Sequence, residues 1–154
     1  MTLKTAYLIT VGTTPEAVIS CFWAYTDSKG PPDVVHFVVS KVSENLRDLL
    51  SEALNAISER EMKYNYTIVD EENILRSIEV VKKAIEEYKR TGHKVVVDVT
   101  PGRKTMSIAL FQAALEVGAE EVYYLHLRDR SYERELYPLI PTPLLKLVRL
   151  WSKK

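Results

Sequence analysis

The chain has a single cysteine, Cys21, and that scarcity closes off two classes at once. An internal disulfide needs two thiols, and zinc sites of the usual cysteine-rich kind need more. Cys21 falls on an apolar helical face, where a lone thiol acts as a small buried hydrophobe rather than a nucleophile. Net charge is missing too: 21 Lys and Arg stand against 21 Asp and Glu. A protein that coats long DNA or RNA needs a basic excess to release counterions. No long nucleic acid is therefore expected as a partner, whereas a small anion held by a few well-placed cations remains open. No apolar run approaches membrane-spanning length, and the start, Met1-Thr2-Leu3-Lys4, lacks the apolar core of a signal peptide. A cytoplasmic setting away from membranes is expected. Glutamine occurs once, at Gln112, beside abundant charge and tyrosine, a composition that leans toward thermophilic proteins.

What the chain does have is enough apolar material for one core. Its 154 residues are 46% hydrophobic and 27% charged, which is globular and of single-domain size. No repeat, low-complexity tract or linker divides it. Strand-like and helix-like blocks alternate, the pattern of a parallel sheet with covering helices. Residues 6–11 (AYLITV), 34–39 (VVHFVV), 64–69, 94–99 (KVVVDV) and 122–127 read as five strands. Helices are expected from Pro15 to about residue 26, from a Ser43 cap through Ile57, over residues 73–90, and over 105–117 before Gly118. Beyond a core of residues 5–127, residues 128–131 read as a hairpin turn and 133–139 as a returning antiparallel strand. Pro141 and Pro143 then precede a short final helix over 144–152. The expected class is α/β: a Rossmann-like, mostly parallel sheet flanked by helices, with a C-terminal β-hairpin and short helix, all in one domain spanning residues 1–154.

In such sheets ligands bind beyond the carboxyl ends of the strands, at the switch in strand order. Two strand-to-helix junctions carry unusual residues: Gly12-Thr13-Thr14-Pro15-Glu16, and Asp98-Val99-Thr100-Pro101-Gly102-Arg103-Lys104-Thr105-Met106-Ser107. Backbone N–H groups and a positive helix end face the crevice at each. The second junction adds two cations and several hydroxyls, a set suited to phosphate. Neither is a common nucleotide fingerprint: the first lacks the three-glycine dinucleotide pattern, the second the upstream glycine of a P-loop. Other residues carry weaker claims. Asp98 either takes a ribose hydroxyl or caps its own turn. His36 and His126 sit in strands as core or crevice-wall residues. Tyr123 and Tyr124 point to opposite faces, Trp23 and Trp151 belong to helical faces, and Asp70-Glu71-Glu72 marks a helix start rather than a metal site.

A first strand ending in Gly-Thr-Thr-Pro-Glu, followed by Asp-x-Thr-x-Gly-x-Lys-x-Met-Ser entering a small-residue helix, resembles the CARF domain, the CRISPR-associated Rossmann fold. There the later motif is usually Asp/Asn-x-Thr-Gly-Gly-Thr-Lys; Pro101 stands here for the first Gly and Arg103 for the Thr. The resemblance spans roughly residues 6–127. It implies a homodimer that binds a cyclic oligoadenylate, the messenger of type III CRISPR defence, with Gly12, Thr13, Thr14, Thr100, Pro101, Gly102, Arg103, Lys104, Thr105 and Met106 around the ring. Only about 25 residues follow the predicted sheet, too few for an effector domain, and no Arg-x(4–6)-His ribonuclease pattern occurs. The chain is thus similar to the free-standing ring nucleases, and cyclic tetra-adenylate is the expected ring. Cleavage by the ribose 2′-hydroxyl needs neither metal nor cofactor. Lys104 would stabilise the charged phosphorane and Thr13 or Thr14 would orient the attacking group. The alternative is a sensor or sponge that binds the ring without cutting it.

Overall fold

Runs of β-branched and aromatic residues only five to eight long, separated by amphipathic segments, produce alternating strands and helices in the computed structural model, which describes residues 3–153. The strands are β1 (Thr5–Thr10), β2 (Val34–Val39), β3 (Lys63–Ile68), β4 (Lys94–Asp98), β5 (Glu121–Leu127) and β6 (Leu145–Ser152). The helices are α1 (Pro15–Lys29), α2 (Arg47–Ser58), α3 (Ile74–Arg90) and α4 (Lys104–Val117). They form one sheet in the order β3-β2-β1-β4-β5-β6. Every pairing is parallel except β5 with β6. The Rossmann-like class stands.

Both faces of the central strands are buried, so they read as continuous apolar runs. Alternation in β1 sends Tyr7 and Ile9 toward α1 and α2, where they pack with Phe37, Leu50 and Leu54. Ala6 and Leu8 face α3 and α4, among Val81, Ile85, Val97 and Leu110. Strand order reverses at β1, because the chain moves outward to β2 and β3 and then returns on the other side at β4. That switch leaves the loops after β1 and β4 side by side.

The C-terminal segment departs from expectation. Residues 145–152 are not a short helix but β6, paired antiparallel along all of β5 with one register shift near Val122 and Tyr123. Trp151 therefore lies on a strand, opposite Val122. The expected returning strand over 133–139 is absent. Short 3-10 turns occupy Arg130–Tyr132 and Tyr137–Leu139 instead. Pro138 removes an amide donor a strand would need there, and Pro141 and Pro143 do the same just beyond it. This excursion folds back onto α1: Tyr137 Oη donates to Asp27 at 3.0 Å, and Ser20 Oγ donates to the Glu135 carbonyl at 3.2 Å. The antiparallel partner of β5 is thus the later segment. Ser43 also does not cap a helix. A 3-10 turn over Glu44–Leu46 precedes α2, and Ser43 Oγ accepts from the Ser40 amide at 3.0 Å.

Candidate functional site

The loop after β1 enters α1 at Thr14, whose side chain makes no capping bond, with Pro15 at the first position and Glu16 in the first turn. The loop after β4 enters α4 through an extended Arg103, again without a side-chain cap. Both helices therefore begin with backbone N–H groups that no side-chain cap claims, at the carboxyl edge of the sheet.

The two loops meet at their glycines. A Cβ placed on Gly12 would lie 2.8 Å from Gly102 Cα, so no larger residue fits while the loops keep this spacing. Gly102 itself has φ +86°, left-handed backbone that glycine adopts without penalty. The β4 turn is fastened from several sides. Thr10 Oγ1 donates to the Pro101 carbonyl, as does Ser107 Oγ at 3.2 Å. Asp98 Oδ1 accepts from the Thr100 amide at 2.9 Å, and Thr100 Oγ1 accepts from the Leu125 amide at 2.8 Å. Every one of these ties links the turn to a strand or helix of the core, so its shape is set before any ligand arrives.

Asp98 lies fully buried beneath this turn. Burial pushes its carboxyl up to about 6, while hydrogen bonds from Thr100 and Tyr7 pull the other way. Cys21 is buried next to it. Burial and the Asp98 charge raise its thiol well above the ordinary range, which suits a packed thiol and not a nucleophile. Of the two roles open to Asp98, the structure shows the cap of its own turn.

Two clefts flank the Gly102 turn. One, about 340 Å³, is lined by Gly12, Thr13, Thr14, Ser40, Ser43 and Glu71, with Arg103, Glu133 and Arg134. The other, about 560 Å³, brings Lys104 together with Tyr124, His126, Arg130 and Tyr132; Thr100 and Gly102 line both. Arg103 Nε is 3.1 Å from Glu71 Oε2 across the first cleft. Among the described residues, no three His, Cys, Asp or Glu side chains gather as metal ligands. No described helix is long and apolar enough to cross a membrane.

A family model described as the Card1 CARF domain matches residues 18–140. The chain belongs to the CARF family. No curated protein matches. Among solved structures, Can2 from Sulfobacillus thermosulfidooxidans in complex with cyclic tetra-adenylate aligns with TM-score 0.60 and 13% identity over 82% of this chain and 32% of its own. Csm6 from Enterococcus italicus, bound to cyclic hexa-2′-fluoro-hexa-dAMP, aligns with TM-score 0.66 and 12% identity over 96% of this chain and 41% of its own. A type III CRISPR defence DNA nuclease activated by cyclic oligoadenylate aligns with TM-score 0.60 and 19% identity, over 83% of this chain and 19% of its own. At these identities the likeness is one of fold, and this CARF chain spans less than half the length of each.

Within the CARF domain, the residues named from sequence divide between the two clefts. Gly12, Thr13, Thr14 and Arg103 line the first and Lys104 the second, with Thr100 and Gly102 shared and Pro101 buried at the wall of the first. Thr105 is exposed on α4 but lines neither, and Met106 is buried in the core between the sheet and α3 and α4. His36 lines neither. Its ring is held between Tyr88 Oη at 2.8 Å and Thr67 Oγ1 at 2.7 Å, and burial lowers it to about 4. Tyr123 is buried on the α1 side and Tyr124 is exposed, as opposite faces require. Sequence reasoning missed Ser40, Ser43, Glu71, Glu133 and Arg134 as cleft residues. The loop after β2 was findable, since β2 flanks β1 in this strand order. Glu133 and Arg134 were not, because they arrive on the irregular excursion over α1.

Proposed function

We propose that this CARF domain binds a cyclic oligoadenylate at the carboxyl edge of its sheet, with cyclic tetra-adenylate the preferred ring. The observation that carries the reading is the contact of the β1 and β4 loops at Gly12 and Gly102. It places two uncapped helix N-termini, Thr13, Thr14, Arg103 and Lys104 around one rigid turn. Backbone amides, hydroxyls and cations at a helix start are the groups that hold phosphates. The rings named in the Can2 and Csm6 structures support the same ligand class. One protomer offers half of a site for a ring of even symmetry, so the functional unit is a homodimer with the twofold axis through the ring, in the cytoplasm.

The same reading extends to cleavage. The ribose 2′-hydroxyl attacks the adjacent phosphorus and the bond to the 5′-oxygen breaks. The proton lost by the 2′-oxygen is balanced by the one the leaving 5′-oxygen gains, and a linear product with a 2′,3′-cyclic phosphate remains. Lys104 stabilises the phosphorane, and Thr13 or Thr14 orients the reacting groups. A phosphate lying over Gly102 would reach both clefts. One observation favours the second reading, a sensor that binds without cutting: Lys104 and the threonines line opposite sides of the turn.

Incubation of excess protein with cyclic tri-, tetra- and hexa-adenylate in EDTA, followed by chromatography, separates the possibilities. Linear product with a cyclic phosphate end supports cleavage. An intact ring that nonetheless binds supports the sensor. Tight binding of linear single strands with none of the rings removes the ligand class altogether.

A further inference from the structure

We infer that Glu71 is a resident competitor for the anion site, its carboxylate occupying Arg103 until a phosphate of the ring displaces it. The inference rests on the ring-binding reading above. Glu71 Oε2 lies 3.1 Å from Arg103 Nε, with the glutamate side chain 21% exposed and the arginine 70%. The glutamate is therefore the held partner and the arginine the one able to swing. Glu71 sits in a turn where Asp70 Oδ1 accepts from the Glu72 amide at 2.9 Å, and Ser77 Oγ fixes the Asp70 carbonyl at 2.8 Å. Arg103 sits at the N-cap of α4 in extended backbone, and its side chain makes no capping bond to the helix.

The other charged residues lining this cleft are Glu133 and Arg134, so its formal charges cancel. In that state it attracts a polyanion weakly. A carboxylate–guanidinium pair whose guanidinium is largely exposed is a weak tie, whereas a phosphate offers Arg103 shorter, charge-assisted and bidentate bonds. The exchange thus runs toward the ring, at an affinity reduced by the contact that must be given up. Arg103 also contributes less to binding than its position implies while Glu71 is present.

Titration calorimetry of the full chain with cyclic tetra-adenylate tests this in wild type, Glu71→Gln, Arg103→Ala and the double variant, with thermal melts confirming folding. Glu71→Gln is expected to bind about fivefold tighter, the upper range for a surface ion pair, and that gain should vanish when Arg103 is alanine. Glu71→Ala repeats the test without a polar replacement. Unchanged or weaker binding by both Glu71 variants overturns the inference while ring binding stands. An equal gain with and without Arg103 also overturns it, since the effect would then be general charge rather than competition for this guanidinium. If neither wild type nor variant binds any ring, the ring-binding reading falls and the inference with it.

Discussion

Replacing Asp98 with asparagine should make the protein acid-sensitive, because two buried groups now offset one another. The Asp98 carboxyl is raised from 3.8 to about 6, chiefly by burial, and His36 is lowered from 6.5 to about 4 by burial. As pH falls through 6, the folded chain takes up a proton on Asp98 that the unfolded chain refuses until about 3.8. Folding is stabilised over that window. His36 has the opposite sign: below 6.5 the unfolded chain takes up a proton that the folded chain refuses until about 4, so folding is destabilised. At about 1.4 kcal/mol per unit, each effect amounts to about 3 kcal/mol, and their sum is close to zero. Asparagine keeps an oxygen for the Thr100 amide but does not titrate. Urea or thermal melts from pH 7.5 to 4 should therefore show the Asn variant losing about 3 kcal/mol relative to wild type. That is roughly 6–12 °C for a chain of this size. Adding His36→Gln should flatten the profile again. A difference between wild type and Asp98→Asn that stays constant across this range would refute the reasoning.

Gly12→Ala places a methyl 2.8 Å from Gly102 Cα, so the loops must part; melts should show a loss of about 1–3 kcal/mol, and calorimetry a drop in ring affinity of roughly tenfold or more. Lys104→Ala should slow ring opening on the order of 100-fold while most of the binding survives, because Gly12, Thr13, Thr14, Gly102 and Arg103 line the clefts beside it in each subunit; a single-turnover assay reads this directly. Sedimentation at micromolar concentration should give a dimer, and a monomer both with and without the ring would remove the twofold site.

Much of this protein could be read from local pattern alone. The central strands β1, β2 and β4 declared themselves because burial on both faces demands uninterrupted apolar runs such as VVHFVV and KVVVD, whereas the edge strand β3, largely exposed, showed only a loose alternation. The amphipathic helix over residues 73–90 and Gly118 ending α4 are likewise local chemistry. The two junctions at Gly12 and Gly102 were legible because helix starts at strand ends carry their own signature of glycine, hydroxyl and charge. What lay beyond the sequence was decided by partners distant along the chain. Residues 145–152 (LKLVRLWS) have apolar positions that suit either a helix or a strand, and β5's open edge settles the matter by supplying backbone hydrogen bonds. The contact of Gly12 with Gly102 joins the loops after β1 and β4, and the Glu71–Arg103 pair joins the loops after β3 and β4; only the β3-β2-β1-β4 strand order brings them together. Periodicity records which face of an element is buried, and a site made between elements exists only once their packing is complete.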